Sequence, residues 1–176
     1  MSEREGRGGA WTEERGTSDE GRRRLKAARE RAGVTVSGPF RWLSPVYFDE
    51  LDLNGALHNS RFAVHVERAQ SALFEQLGRG WTSYADRDPD LRYVVRELHM
   101  EFLAPLESPG SLLVELSAGK LGRTSATYLF RCATPDGGVT VAQGHRVIIK
   151  IDENGRPAPW SDWYRKTFEA LEAADA

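Results

Sequence analysis

The hydrophobic pattern of the chain is most regular between residues 46 and 78. The first half of this stretch is an acidic turn broken by glycine, and the second half has the spacing of an amphipathic helix. The helix is predicted to begin near His58 or Asn59, with Asn59 or Ser60 as its cap, and to end at Gly78. Its apolar face consists of residues three or four positions apart: Phe62, Val66, Ala69, Leu73 and Leu77.

Apolar residues in most of the remaining chain predict strands. Pro45 places the first strand at an edge of the sheet or at a bulge, and residues 160–173 have the pattern of a C-terminal amphipathic helix. Short connections favour antiparallel neighbours. The predicted class is therefore α+β, with one long helix on one face of a sheet. The predicted strands are residues 40–48, 91–103, 112–117, 124–133 and 139–151.

The composition divides the 176 residues into a tail and one domain. Residues 1–38 are rich in Arg, Glu and Gly and are predicted to be disordered, whereas residues 39–176 are expected to form the domain. Within the tail, residues 22–26 are basic and suit either a contact for phosphates or a solvated segment. The surrounding acidic residues and the net charge of −2 favour the solvated segment and do not favour nucleic acid as a partner.

The single cysteine, Cys132, excludes an intramolecular disulfide and is compatible with a reducing compartment. No stretch approaches the roughly 20 apolar residues of a membrane helix. A soluble, cytoplasmic protein that does not associate with membranes is therefore expected. Cys132 lies within a predicted strand, where a buried and inert thiol is expected, and the sequence contains no G-x-S-x-G motif.

The spacing of residues in and after the acidic turn can be compared with two kinds of metal site. A calcium loop with Gly55 at its sixth position would place Arg61 at the twelfth, where a bidentate glutamate is needed. A zinc site on a helix favours histidines at short, regular spacing, whereas His58 and His65 are seven residues apart. The spacing therefore predicts neither a metal site nor a cofactor.

A carboxylate mechanism remains for this turn. Gly55 permits a sharp backbone turn, so that Asp52 can face the helix N-terminus. The first free N–H groups of that helix, near His58 and Asn59, would polarise a carbonyl oxygen. Asp52 would attack the carbonyl carbon or activate water, and a thiolate is a good leaving group, so thioester hydrolysis suits the site. The alternative is that the acidic residues only cap and solubilise the turn.

The motif D-x-x-G followed by His58-Asn59 resembles the hotdog-fold acyl-CoA thioesterases of the 4-hydroxybenzoyl-CoA thioesterase type. The likeness covers about residues 40–160. Its later part includes the string EFLAPLESPG and the segment from Arg123 to Pro157. The matching positions of the motif are Glu50, Asp52, Gly55, Asn59, Phe62, Glu67 and Ala69.

The resemblance implies a hotdog fold, which is a five-stranded antiparallel sheet wrapped around one long helix. It also implies a homodimer or homotetramer with the thioester at the subunit interface. Asp52 falls on the family's catalytic aspartate, and the amide of Asn59 falls on its carbonyl-polarising position. His58 departs from the usual Asn or Tyr and would either bond the thioester oxygen or cap the helix.

Further roles follow from the same resemblance. Gly55 is the expected substrate-binding glycine, and Arg123 and Thr124 are candidates for contacts with the CoA phosphates, the alternative being a solvated hairpin. Arg61 and Glu67 are interpreted as structural contacts. His65 and His99 are interpreted as core or surface residues. Aromatic residues that would shape an acyl pocket or fill the core are Trp42, Trp81 and Tyr84.

The leading hypothesis is an acyl-CoA thioesterase that converts acyl-CoA and water to a free acid and CoA. One alternative is a thioesterase that releases acyl or polyketide chains from a carrier protein. Another is a hotdog module that binds acyl-CoA without turnover. The acid at position 52 favours catalysis, because a binding module has no need of it.

Overall fold

The computed structural model describes residues 36–80, 87–107 and 109–172. Most of the predicted tail, Trp81, Tyr84 and the last residue of the predicted C-terminal helix (residue 173) lie outside these ranges. Two α-helices and five strands are present in the described part. They are β1 (Phe40–Val46), α1 (Asn59–Gln76), β2 (Tyr93–Phe102), β3 (Gly110–Leu121), β4 (Ser125–Ala133), β5 (Thr140–Lys150) and α2 (Asp162–Glu169).

The five strands form one antiparallel sheet in the order β1-β3-β4-β5-β2. The edge position of β1 agrees with Pro45, which has no N–H to donate to a neighbouring strand. The other edge is β2, the strand that follows α1 along the chain. The predicted α+β arrangement with an antiparallel sheet is confirmed.

Helix α1 covers one face of the sheet, as its apolar spacing predicts. All five residues of the predicted apolar face are buried, and Val66, Ala69 and Leu73 are at most 1% exposed. The helix ends before Gly78, whose φ of +69° suits the residue after a helix C-terminus. No helix in the described ranges combines the length and the apolar composition needed to cross a membrane.

A bulge in β2 explains an irregularity in its sequence pattern. Apolar residues occupy positions 93 and 95 and then shift phase to 98, 100 and 102. The register of β2 against β5 shifts between Val95 and Glu97, so one residue is inserted there. The insertion keeps Leu98 and Phe102 on the same face of the strand as Tyr93.

Helix α2 closes the core at the C-terminal end of α1. Phe74, near the end of α1, contacts Trp163 and Tyr164 of α2. The hydroxyl groups of Tyr128 and Tyr164 lie 2.9 Å apart within the core. The N-terminal end of α1 is at the opposite end of the core, next to the acidic turn.

Candidate active site

The acidic turn between β1 and α1 is a tight hairpin loop. Leu51 and Leu57 form an isolated antiparallel bridge. Inside the bridge, the Asp52 N–H donates to the Ala56 carbonyl at 2.8 Å, and the Gly55 N–H donates to the Asp52 carbonyl at 3.0 Å. Gly55 has a φ of +76°, a conformation that disfavours side chains. The glycine therefore has the turning role that the sequence assigned to it.

Backbone amides of the loop hold the Asp52 carboxylate in place. Asp52 Oδ1 accepts hydrogen bonds from the N–H groups of Asn54 at 2.8 Å and Ala56 at 3.2 Å. These two bonds lower the pKa of Asp52 below its ordinary value, because they stabilise the charged form. Oδ2 has only a long contact, 3.5 Å, with the Asn54 side chain. Asp52 is thus ionised at neutral pH, with one oxygen available to a ligand.

Helix α1 is capped by His58, which is one of the two roles considered for that residue, and not by Asn59 or Ser60. His58 Nδ1 accepts the Ser60 N–H at 3.2 Å and lies 2.8 Å from the Ser60 hydroxyl. An imidazole nitrogen can accept from the second helical residue as an Asp or Asn oxygen does, and this explains the difference. Since Nδ1 is the acceptor, a neutral His58 carries its proton on Nε2.

The backbone N–H of Asn59 is the available donor at this helix end. The neighbouring amides are occupied: His58 N–H donates to Glu50 O at 3.0 Å, and Arg61 N–H donates to His58 O at 2.8 Å. Among the described residues, nothing accepts a hydrogen bond from the Asn59 N–H. Its partial positive charge is reinforced by the helix dipole, so it suits a carbonyl or oxyanion oxygen.

Asp52, His58 and Asn59 line one open cleft of about 510 Å³. The opposite wall is apolar and comes from the end of β2 and the residues after it. Phe62 of α1 and Phe102 of β2 meet edge to face there, with ring centroids 5.4 Å apart. This wall was not predicted from the sequence, although it lies within the EFLAPL string on which part of the family resemblance rests. The wall residues are Phe102, Leu103, Ala104, Pro105 and Leu106.

Two other predicted site residues lie away from this cleft in the same chain. Arg123 and Thr124 lie between β3 and β4, at the end of the sheet where β2 begins, whereas the cleft lies where β2 ends. Their carbonyls accept hydrogen bonds from Trp160 N–H and Lys150 N–H. Gly55 lines a neighbouring depression on the outer side of the turn, together with Asp52.

The remaining polar residues considered in the sequence have structural contacts or lie on the surface. Glu67 accepts from the Arg146 guanidinium at 3.3 Å, which is the predicted helix–sheet contact. His65 is fully buried, and His99 is exposed on the outer face of the sheet. Cys132 is buried, and burial raises the pKa of its thiol to about 12, as expected for an inert thiol.

A second turn has the same local structure as the acidic turn. Residues 52–55 read DLNG and residues 152–155 read DENG. Asp152 Oδ1 accepts from the N–H groups of Asn154 and Arg156, both at 2.9 Å, and Gly155 also has a φ of +76°. The two turns share the string D-x-N-G. The turn alone does not distinguish Asp52, so its special feature is the start of α1 beside it.

Comparison with known proteins identifies the family. The family model described as the thioesterase superfamily matches residues 54–141, which is half of the chain. The chain belongs to the thioesterase superfamily. The match starts just after Asp52, so it covers the helix and most of the sheet. No curated protein matches the sequence.

Solved structures support the same assignment for this thioesterase. The PA2801 protein of Pseudomonas aeruginosa, described as a candidate thioesterase, is 26% identical with a TM-score of 0.64, over 73% of this chain and 97% of that one. Two structures with lower identity show the fold. A Thermus thermophilus thioesterase complexed with coenzyme A and Zn is 24% identical (TM-score 0.60; 73% and 95% covered). Slr0204, a 1,4-dihydroxy-2-naphthoyl-CoA thioesterase from Synechocystis, is 14% identical (0.62; 74% and 96%).

The fold and the reaction class follow from these findings. The antiparallel sheet around α1 is the hotdog fold, and the prediction of that fold from the sequence is confirmed. The protein is a thioester hydrolase.

Proposed function

We propose that this thioesterase hydrolyses acyl-CoA to a free acid and CoA at the cleft beside the N-terminus of α1. The supporting observation is that one cleft contains the ionised carboxylate of Asp52, the unpartnered N–H of Asn59 and an apolar wall. The carboxylate supplies a nucleophile or base, and the N–H supplies an electrophile. The wall suits the acyl group.

In this proposal the thioester oxygen accepts the Asn59 N–H, which stabilises negative charge as the carbonyl carbon becomes tetrahedral. By one route, Asp52 Oδ2 attacks the carbon, the C–S bond breaks, and water hydrolyses the resulting anhydride. By the other, Asp52 takes a proton from water as the water oxygen attacks, and that proton leaves with the departing sulfur. Both routes consume one water. The thiolate needs little protonation to leave, since thiol pKa values lie near 8.5.

His58 can serve this site without giving up its capping role. Nδ1 bonds the first turn of the helix, and the Nε2–H group is on the other side of the same ring. The residue lines the cleft together with Asn59. A second hydrogen bond to the thioester oxygen from Nε2 is therefore compatible with the observed cap.

We also infer that the working unit is a homodimer joined through β2. This edge strand exposes large apolar side chains, including Val95 at 47% and Leu98 at 43%. An exposed apolar edge strand favours pairing with another strand. A partner β2 running antiparallel would bring its own Tyr93 end beside the Phe102 end of the first copy. The partner's Arg123 and Thr124 would then lie on the cleft side of the joined sheet.

Matched variants on two strands test the dimer. Leu98→Lys on β2 is expected to give a monomer in light scattering. Leu129→Lys, at an equally exposed position (44%) on the central strand β4, is expected to leave the dimer intact. A monomeric wild-type protein, or a dimer retained by Leu98→Lys, contradicts the inferred interface. Loss of a tetramer in Leu129→Lys alone would indicate additional packing through the outer face.

The catalytic proposal is tested by thiol release from short-chain, long-chain and aromatic acyl-CoAs, and from an acyl-carrier protein. Asp52→Asn is expected to lower kcat by about 10² to 10⁴, the usual contribution of a positioned acid or base. The control is Asp152→Asn in the second D-x-N-G turn (residues 152–155, the twin turn), which is expected to retain full kcat. Equal turnover by Asp52→Asn would refute its assignment. Release only from the carrier protein would change the substrate class, and binding without release would indicate a binding module.

A further inference from the structure

The base of the acidic turn contains a buried carboxylate, that of Glu50, which is bonded to the segment before the turn and to α1. Glu50 is 3% exposed, and it immediately precedes the Leu51–Leu57 bridge. Its Oε2 accepts the Tyr47 N–H at 2.9 Å, and its Oε1 accepts from Arg68 Nη1 at 3.1 Å. Arg68 lies in the third turn of α1, so the carboxylate joins the turn to the helix.

A histidine and a serine extend this connection to β1. His65 Nε2 lies 3.6 Å from Glu50 Oε2, and His65 Nδ1 lies 2.5 Å from Ser44 Oγ. Burial lowers the pKa of His65, which favours the neutral ring. In a neutral ring that faces a carboxylate, the proton belongs on Nε2, so Ser44 donates to Nδ1. Ser44, His65 and Glu50 therefore form a line from β1 through α1 to the turn, in which the contact between His65 and Glu50 is longer than a hydrogen bond.

These three residue types also occur in serine hydrolases, but here they cannot meet a substrate. Ser44 and His65 are both 0% exposed, and Glu50 is 3% exposed. Neither Ser44 nor His65 lines the cleft that contains Asp52. Any effect of the line on the reaction must therefore pass through the backbone of the turn.

The backbone of Glu50 connects the line to both halves of the site. Its carbonyl accepts the N–H of His58, the cap of α1, at 3.0 Å. Asp52 follows two residues after Glu50, and Asn59 follows directly after His58. Residues 51–57 separate the two halves of the site. Glu50 precedes this segment, and its carbonyl binds His58, which follows it. A change in its position would alter the distance between the two groups.

The second D-x-N-G turn also has a buried charged residue two positions before its aspartate. The two turns differ in the partners of that residue and in the distance to the following helix. Lys150 stands where Glu50 does, is 7% exposed, and its carbonyl accepts the Ala158 N–H at 3.0 Å. Its ammonium group binds Asp90 at 2.5 Å. Helix α2 begins only at Asp162, four residues after Ala158, whereas α1 begins directly after His58.

We propose that Glu50 is a positioning residue of this thioesterase, held by the Tyr47 N–H and Arg68 with the His65–Ser44 pair packed beside it, and that it sets the Asp52 carboxylate relative to the Asn59 N–H. The inference rests on the proposed role of Asp52. It goes beyond that role, because it assigns a function to a buried line of residues that never touches the substrate. Displacement of a catalytic group by about 1 Å can cost about 100-fold in rate.

The first test separates positioning from general stability by kinetics. Glu50→Gln preserves size and is expected to lower kcat about 10- to 100-fold with little change in KM. Lys150→Gln removes the twin anchor and is expected to lower the melting temperature while kcat stays unchanged. In the Asp52→Asn background, Glu50→Gln is expected to cause no further loss of kcat. An additive loss there, or an unchanged kcat in the single variant, would overturn the proposal.

The second test does not require turnover. The backbone amide shift of Asn59, followed by nitrogen-15 NMR while Asp52 is titrated, is expected to respond less to the Asp52 charge in Glu50→Gln than in Lys150→Gln. Arg68→Ala, at a half-buried position that tolerates truncation, provides the same measurement if Glu50→Gln does not fold. An unchanged response of the Asn59 amide in the folded anchor variant refutes positioning. A wild-type protein without thiol release refutes the proposed function instead, and the NMR result still decides whether Glu50 fixes the carboxylate.

Discussion

Replacement of Asn59 by proline isolates the backbone N–H that the proposed mechanism requires. Asn59 is the first residue of α1, a position where proline is common because its missing N–H has no acceptor within the helix. The residue before a proline must be extended, and His58 already has φ −62° and ψ 135°. Asn59→Pro is therefore expected to fold with its stability nearly unchanged, since no intrahelical hydrogen bond is lost.

The expected kinetic effect follows from the loss of one oxyanion donor. Such a donor contributes about 3 to 4 kcal/mol to the transition state, which is about 10² to 10³ in kcat. Asn59→Ala is the matched control, because it removes the side chain and keeps the N–H. The assay compares thiol release by the two variants with their melting temperatures. Equal kcat in Asn59→Pro and Asn59→Ala would show that the amide does not polarise the substrate.

Three further outcomes are expected. The hydrogen bonds that lower the pKa of Asp52 keep its carboxylate charged to lower pH. We therefore expect kcat/KM to stay level from about pH 8 to 5 and to fall only below the ordinary aspartate pKa of about 3.9. A decrease of kcat/KM with a midpoint near about 6.5 would instead indicate control by a histidine. With a thiol pKa of about 12, Cys132 is expected to resist iodoacetamide at neutral pH until the protein is denatured, and labelling of the folded protein would contradict its burial. Gly55→Ala and Gly155→Ala are each expected to cost about 1 to 2 kcal/mol in urea unfolding, because both glycines have φ +76° and open space around them; only Gly55→Ala is expected to lower kcat.

The local sequence pattern was sufficient to predict the helices and strands, and it indicated one half of the candidate site. The period of α1 predicted its buried face, and the glycine at position 78 predicted its end. The change of phase in the apolar pattern of β2 coincides with its bulge. Asp52, Gly55 and Asn59 were identifiable because turn and helix lie next to each other in the sequence. Each of these features depends on residues within a few positions of one another.

Features that depend on distant contacts could not be read in the same way. Phe102 and Leu103 are about half exposed, at 52% and 53%, and nothing in an alternating pattern shows that they face the N-terminus of α1. The line formed by Ser44, His65 and Glu50 joins positions separated by 21 and 15 residues. A polar residue is usually assigned to the surface from sequence, and its burial becomes clear only when its partners are known.

The two D-x-N-G turns explain why a short motif is weak evidence for a site. Both turns bind an aspartate carboxylate with two backbone amides and bend at a glycine with the same φ. The sequence of each is sufficient for that local structure, so the local structure alone does not distinguish the aspartate proposed to be catalytic. Asp52 differs because α1 begins one residue after the turn closes, which leaves the Asn59 N–H beside an ionised carboxylate. The position of the motif relative to the helix, fixed through Glu50, is therefore the part of the sequence that specifies chemistry.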